Sequence, residues 1–174
     1  RVQEYMNYQL IEVMTEYRSE TEKLLFSLPL AGSAFRKIYY DPSLGRPTSM
    51  FVPAEDFVVA YNEADLEQAE RYTHVMNRST NQIKKLQVSG FYRDVELQTG
   101  FIQDNPITDK FNDIGGVKPS YDKEDRHQLL EMHTDVDLVG FEDDDGVALP
   151  YVITIDKSSD TILSIYRNWD EEDE

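Results

Sequence analysis

Near the C-terminal end two alternating runs, Tyr151 to Asp156 (YVITID) and Thr161 to Arg167 (TILSIYR), flank a short polar stretch within "DKSSD". A connection this short forces the two runs to pair antiparallel, because a parallel pair needs a crossover of about a dozen residues. A third run, "HQLLEMHTDVDLV", has the same period of two. It predicts a strand with Leu130, Met132, Thr134, Val136 and Leu138 on one face and His127, Leu129, Glu131, His133, Asp135 and Asp137 on the other. The first set reads as core and the second as mostly wet.

The rest of the chain supplies helices and shorter strands. From Val2 to Leu28, apolar residues at Met6, Leu10, Val13, Met14, Tyr17, Leu24 and Leu28 alternate with glutamates, which predicts one long amphipathic helix stopped near Pro29. Pro29 and Gly32 end it, and a strand over Ala34 to Tyr40 follows, with Phe35 or Ile38 feeding the core. Ser49 to Val52 and Phe57 to Tyr61 complete a small antiparallel meander, with "DPSLGRP" as its first turn. Ala64 to Ala69 has a helical pattern, and Tyr72 to Met76 is strand-like. Ser79 and Gln82 form a capping box opening a helix from Thr80 to Val88 that ends at Gly90. Glu96 to Arg126 has little period, apart from two helical turns framed by Pro106 and Gly115-Gly116. The expected fold class is α+β: a long N-terminal amphipathic helix plus short helices packed on a mostly antiparallel sheet, one domain over residues 1–174.

Charge and composition then narrow the function. Residues 1–87 hold 10 Lys+Arg against 12 Asp+Glu, a balance of −2, whereas residues 88–174 hold 7 against 22, a balance of −15. Such a field opposes duplex DNA, whose nonspecific affinity needs clustered cations, so sequence-specific nucleic-acid binding is not expected. Without cysteine, thiolate metal sites and cysteine nucleophiles drop out. No apolar run reaches the roughly 18 residues of a membrane span, and no partnership with a membrane is expected. The start at Arg1 and the end at "NWDEEDE" read as a piece of a longer protein.

The candidate chemical motifs are weak. Gly32 and Gly45 are too far apart for a phosphate cradle, so Arg36 and Lys37 read as strand residues rather than phosphate ligands. His127, Glu131, His133 and Asp135 share a strand face on which two could hold a metal, but no third ligand from another strand is identifiable. In "EDDDG", placing Gly146 at the sixth position of a calcium loop puts Val152 at the twelfth, where an oxygen ligand is required. Neither Ser33 nor Ser89 has the flanking glycines of a nucleophile elbow. His74, His127 and His133 are too scattered to signal a triad, and His74 reads as a half-buried strand histidine. The residues therefore nominate no catalytic, cofactor-binding or metal residue and no cofactor.

The succession "YRSETEKLLFSLPLAGSAFRKIYYDPSLGRPTSMFVPAEDFVV", "YTHVMNRSTNQIKKLQVSGFYRDV", "LLEMHTDVDL" and "PYVITIDKSSDTILSIYRNW" resembles the large portal proteins of short-tailed, double-stranded-DNA phages. The resemblance spans nearly the whole chain, with Glu96 to Arg126 least matched. It implies an internal, wing-like portion of a longer portal protein, without enzymatic activity of its own. It also implies self-association into a dodecameric ring at the capsid vertex, through which genomic DNA is packaged and ejected. The implied partners are the terminase motor, capsid and scaffolding proteins and tail adaptors; the implied location is the virion, and the host cytoplasm during assembly. Two other classes fit the residues themselves: an acidic domain that binds a basic protein partner, and a metal-dependent hydrolase on the His127 to Asp137 face.

Overall fold

A computed structural model describes residues 1–41, 44–63, 65–66, 69–97, 110, 126–141 and 146–168. Helices and antiparallel strands combine as the α+β class requires, with the strands in two sheets. The chain gathers into two compact units, Arg1–Val58 and Val59–Glu174.

The first unit departs from the expected single helix. Helix α1 spans Val2–Tyr8, a π-helical turn follows over Gln9–Val13, and helix α2 spans Tyr17–Ala31. Between them Met14 leaves helical geometry at φ −89°, ψ 73°, its N–H donating to Gln9 O at 2.8 Å. The break leaves Met14 buried and frees Glu16 to turn toward the neighbouring hairpin. Nor does Pro29 stop α2: it lies inside the helix, and the end comes at Gly32. Proline costs one intrahelical bond, which the last turn tolerates, whereas Gly32 adopts the left-handed φ of +76° that closes a helix and donates to Leu28 O.

Strands β1 (Ala34–Asp41) and β2 (Arg46–Pro53) form a two-stranded sheet, with Ala34 opposite Pro53 and Asp41 opposite Arg46. Helix α2 packs on it through two glutamates. Arg46 holds Glu16 at 2.8 Å, and the Ser49 N–H donates to the same carboxylate at 3.2 Å. One helical turn on, Glu20 accepts from the Phe51 N–H at 2.7 Å. The pair at i and i+4 thus satisfies backbone donors of β2 that a two-stranded sheet would leave open. Burial pushes the Glu16 carboxyl up, but the Glu16 and Ser49 N–H groups and Arg46 outweigh it and hold the group below its ordinary value. Ile38 is 65% exposed rather than core, and Phe35 packs on Phe57 with ring centroids 4.3 Å apart. The expected three-stranded meander is therefore a hairpin: the third strand, β3 (Phe57–Val59), belongs to the larger sheet.

The larger sheet has the order β3-β4-β5-β6-β7, with β4 at Arg71–Ser79, β5 at Arg126–Val136, β6 at Leu149–Asp156 and β7 at Thr161–Arg167. Helix α3 (Thr80–Val88) starts with the expected capping box: Ser79 Oγ accepts from the Gln82 N–H, and the Gln82 side chain accepts from the Ser79 N–H. The core of this unit is Met76, Ile83, Tyr92, Leu129 and Leu163, with Leu86 and Leu97 packed against it. Leu129 and His127 are fully buried, so the face of β5 that reads as wet carries the core at its N-terminal end. The reading fails because His127 finds polar neighbours inside the protein, and a polar side chain is no marker of solvent. Asp65, Leu66 and Ala69 are not helical; the remainder of the Ala64 to Ala69 pattern, the Pro106 to Gly116 turns and the acidic run at Glu142–Asp145 lie outside the described residues.

Candidate functional site

Antiparallel register decides which side chains share the inner face of the larger sheet. Tyr72 opposes His133, His74 opposes Glu131 and Met76 opposes Leu129, while Thr154 and Asp156 of β6 oppose Glu131 and Leu129. Facing partners in an antiparallel pair point the same way, so this face mixes apolar core with titratable groups.

His127 and Asp156 are the deepest of these groups, and a polar atom lies near each ring nitrogen of His127, although Nδ1 and Asp156 Oδ1 make no hydrogen bond. The His127 Nδ1 lies 3.4 Å from Asp156 Oδ1, an ion-pair separation longer than a well-formed hydrogen bond. Its Nε2 lies 3.3 Å from Thr80 Oγ1. Asp156 is in turn anchored by its other oxygen: Oδ2 accepts from Ser158 Oγ at 2.6 Å, Ser159 N–H at 3.0 Å and Ser159 Oγ at 2.7 Å. Burial pushes the Asp156 carboxyl up, yet these serine bonds and the nearby imidazole outweigh it and hold the carboxyl below its ordinary value. An ionised Asp156 favours the proton on Nδ1, which leaves the Nε2 lone pair toward the Thr80 hydroxyl. Thr80 itself is exposed at the first position of α3. The three groups come from residues 47 and 29 positions apart in sequence and from three different elements.

A second polar group lies further along β5. His133 Nε2 is 3.2 Å from Glu131 Oε1, and the His133 ring stacks on Tyr72 with centroids 4.6 Å apart. Burial, with the Glu131 charge adding to it, pushes the Tyr92 hydroxyl up to about 12, and its partner is the Thr154 side chain. Tyr92 is thus a neutral donor at any ordinary pH.

The four residues expected on one metal-binding face are divided by these contacts. His127 turns to Asp156, Glu131 pairs with His133, and Asp135 is exposed. Among the described residues no three His, Asp or Glu side chains converge as a metal site. His74 is buried on β4, deeper than the half-buried position expected of it. Arg36 donates to Thr21 Oγ1 at 2.7 Å and covers the Tyr17 ring at 4.7 Å, while Lys37 lies 5.3 Å from the Tyr39 ring centre. Ser89 donates to Leu86 O as part of the α3 exit.

Sequence reasoning missed the Thr80–His127–Asp156 link. Its faint signals were a hydroxyl residue at a helix start and an aspartate followed two and three residues on by serines, both common in purely structural turns. Among the described residues no helix is long and apolar enough to cross a membrane. No protein-family model matches the chain, and no curated protein matches it.

Proposed function

We propose that the chain is a non-enzymatic structural segment of a phage portal ring. What supports the reading is the ordered resemblance quoted above, together with where its most distinctive stretches fall. Leu28 to Asp41 of "LPLAGSAFRKIYYDP" runs from the end of α2 through β1, "AEDF" is a 3₁₀ turn leading into β3, "SGFY" follows α3, and Arg167 of "RNW" closes β7. These stretches cover changes of direction together with the ends of α2, β1 and β7, a likeness of architecture rather than of catalysis. In the proposed assembly the segment meets copies of itself, with terminase, scaffolding or capsid protein and tail adaptors as further partners.

The test is the complete reading frame that contains this sequence, expressed and purified whole. Native mass spectrometry and negative-stain microscopy should find rings of about a dozen subunits, and antibodies to the segment should label one vertex of filled capsids. A whole product that stays monomeric at micromolar concentration and labels no particle overturns the proposal.

A further inference from the structure

We propose that the open edge of β1 pairs with the same edge of a second copy of this chain, antiparallel and centred on Tyr39, giving a four-stranded sheet across a two-fold axis. The inference goes beyond the portal reading and does not rest on it: a two-fold pair joins like surfaces whereas a ring joins unlike ones, so the pair is a form of the free chain.

The hydrogen bonds of the hairpin identify the open edge. The Ser49 and Phe51 N–H groups donate to Glu16 and Glu20 rather than across the ladder, so these two residues belong to its non-hydrogen-bonded pairs. Their partners Ile38 and Arg36, and Tyr40 in the same alternation, therefore aim their N–H and C=O groups away from β2. The two edges of the hairpin thus differ: α2 caps β2 through its glutamates, while among the described residues no strand pairs with the outer edge of β1. Neither proline nor bulge blunts that edge, and Ile38 and Tyr40 on it are 65% and 63% exposed.

Side-chain chemistry selects both the occupant and the register. Because the outward groups belong to even-numbered residues, even must meet even across the new seam. Centred on Lys37, the pairing sets that lysine against its own copy, a like-charge contact. Centred on Ile38, it sets Lys37 against Tyr39 and Asp41 against Phe35. Centred on Tyr39, it sets Lys37 of each copy opposite Asp41 of the other and Ile38 of each opposite Tyr40 of the other, with Tyr39 facing Tyr39. Opposite charges, an aromatic beside a β-branched chain and paired aromatics are the favourable cross-strand combinations, and here the two exposed apolar side chains cover each other. The charged pairs and Tyr39 fall at the non-hydrogen-bonded positions, where facing Cα atoms approach to about 4.5 Å. A second copy supplies this order of charge and apolar groups by symmetry alone.

The test uses the 174-residue chain at about 0.15 M salt, where the mutual repulsion of the acidic copies is screened beyond about 8 Å. Sedimentation velocity should find a monomer–dimer equilibrium at micromolar to tens-of-micromolar concentration, as befits a small interface. The chain has no cysteine, so one introduced thiol reports the seam. Under mild oxidation Tyr39→Cys should form a disulfide dimer, and Lys37→Cys should not, because in this register the two Lys37 positions lie four residues apart along the strands, about 13 Å. Lys37→Glu and Asp41→Lys, each checked for folding by circular dichroism, should each weaken the dimer by about tenfold or more. An equimolar mixture of the two should restore it as a heterodimer, since the changed residues then face each other and so do the unchanged Lys37 and Asp41. A wild-type chain that stays monomeric, cross-linking at Lys37→Cys as fast as at Tyr39→Cys, or a mixture of folded variants that stays monomeric overturns the assignment and leaves the portal test, which reads rings of the whole product, untouched.

Discussion

Replacing Asp156 by alanine tests most directly whether its pairing inside the larger sheet stabilises the fold. The change removes the acceptor of three hydrogen bonds and the carboxylate facing His127, with both side chains essentially inaccessible to water. Each donor left without an acceptor inside the fold costs about 1–3 kcal/mol, so losing all three bonds should cost about 3–5 kcal/mol. With a urea slope near ~2 kcal/mol/M, the unfolding midpoint should fall by about 1.5–2.5 M. Asp156→Asn keeps the shape and some of the serine bonds, so its loss should be about half as large. The two variants also differ in acid. The folded-state value of Asp156 is depressed, so its contribution is complete above the ordinary aspartate value of 3.8 and is lost as pH falls through the folded value. Wild type should therefore lose stability through that range, and Asp156→Asn should show a shallower acid limb. Urea titrations followed by circular dichroism between neutral and acid pH give both results. An Asp156→Ala variant within about 0.5 kcal/mol of wild type, the scale of an ordinary surface change, would refute the argument.

Leu129→Ala should cost about 2–5 kcal/mol in the same assay, since Leu129 has no exposed surface and sits between Met76, Ile83, Tyr92 and Leu163. Gly32→Ala should cost about 1 kcal/mol: an added Cβ meets nothing within 4 Å, so the penalty is the left-handed backbone alone, read as a lower thermal midpoint. Duplex DNA should bind no more tightly than about 10⁻⁴ M at physiological salt by fluorescence anisotropy. Micromolar, steeply salt-dependent binding would show that Arg36-Lys37 or Lys84-Lys85 forms a basic patch after all.

Signals confined to a few residues were legible in the sequence. The Ser79–Gln82 box, the Gly32 exit and the hairpin over Asp156 to Thr161 each depend on atoms within three or four residues of one another. The break at Met14 was not legible, because neither glycine nor proline marks it. Periodicity there fits one long helix as well as two short ones, and the choice comes from Arg46 and Ser49, some thirty residues away, drawing Glu16 to β2. The faces of β5 were exchanged at its N-terminal end for a related reason. His127 and Glu131 carry no label that distinguishes a solvated side chain from one paired with Asp156 or His133, and those partners come from a strand pairing or an i+2 contact. The candidate site was illegible on the same ground, since its three members meet only once α3, β5 and β6 are assembled.

The exposed apolar side chains of α2 and β1 also set the conditions under which the protein can be handled. Leu25, Phe26 and Leu30 of α2 and Ile38 and Tyr40 of β1 all present most of their surface to water. At neutral pH a net charge of −17 keeps neighbouring molecules apart across a Debye length of about 8–10 Å in ordinary buffers. Near the isoelectric point of 4.4 that repulsion vanishes while the apolar groups remain, so colloidal association sets in there, above the ordinary aspartate value of 3.8 below which Asp156 titrates. Turbidity at that pH reports the loss of mutual repulsion, and dilution or a return to neutral pH reverses it.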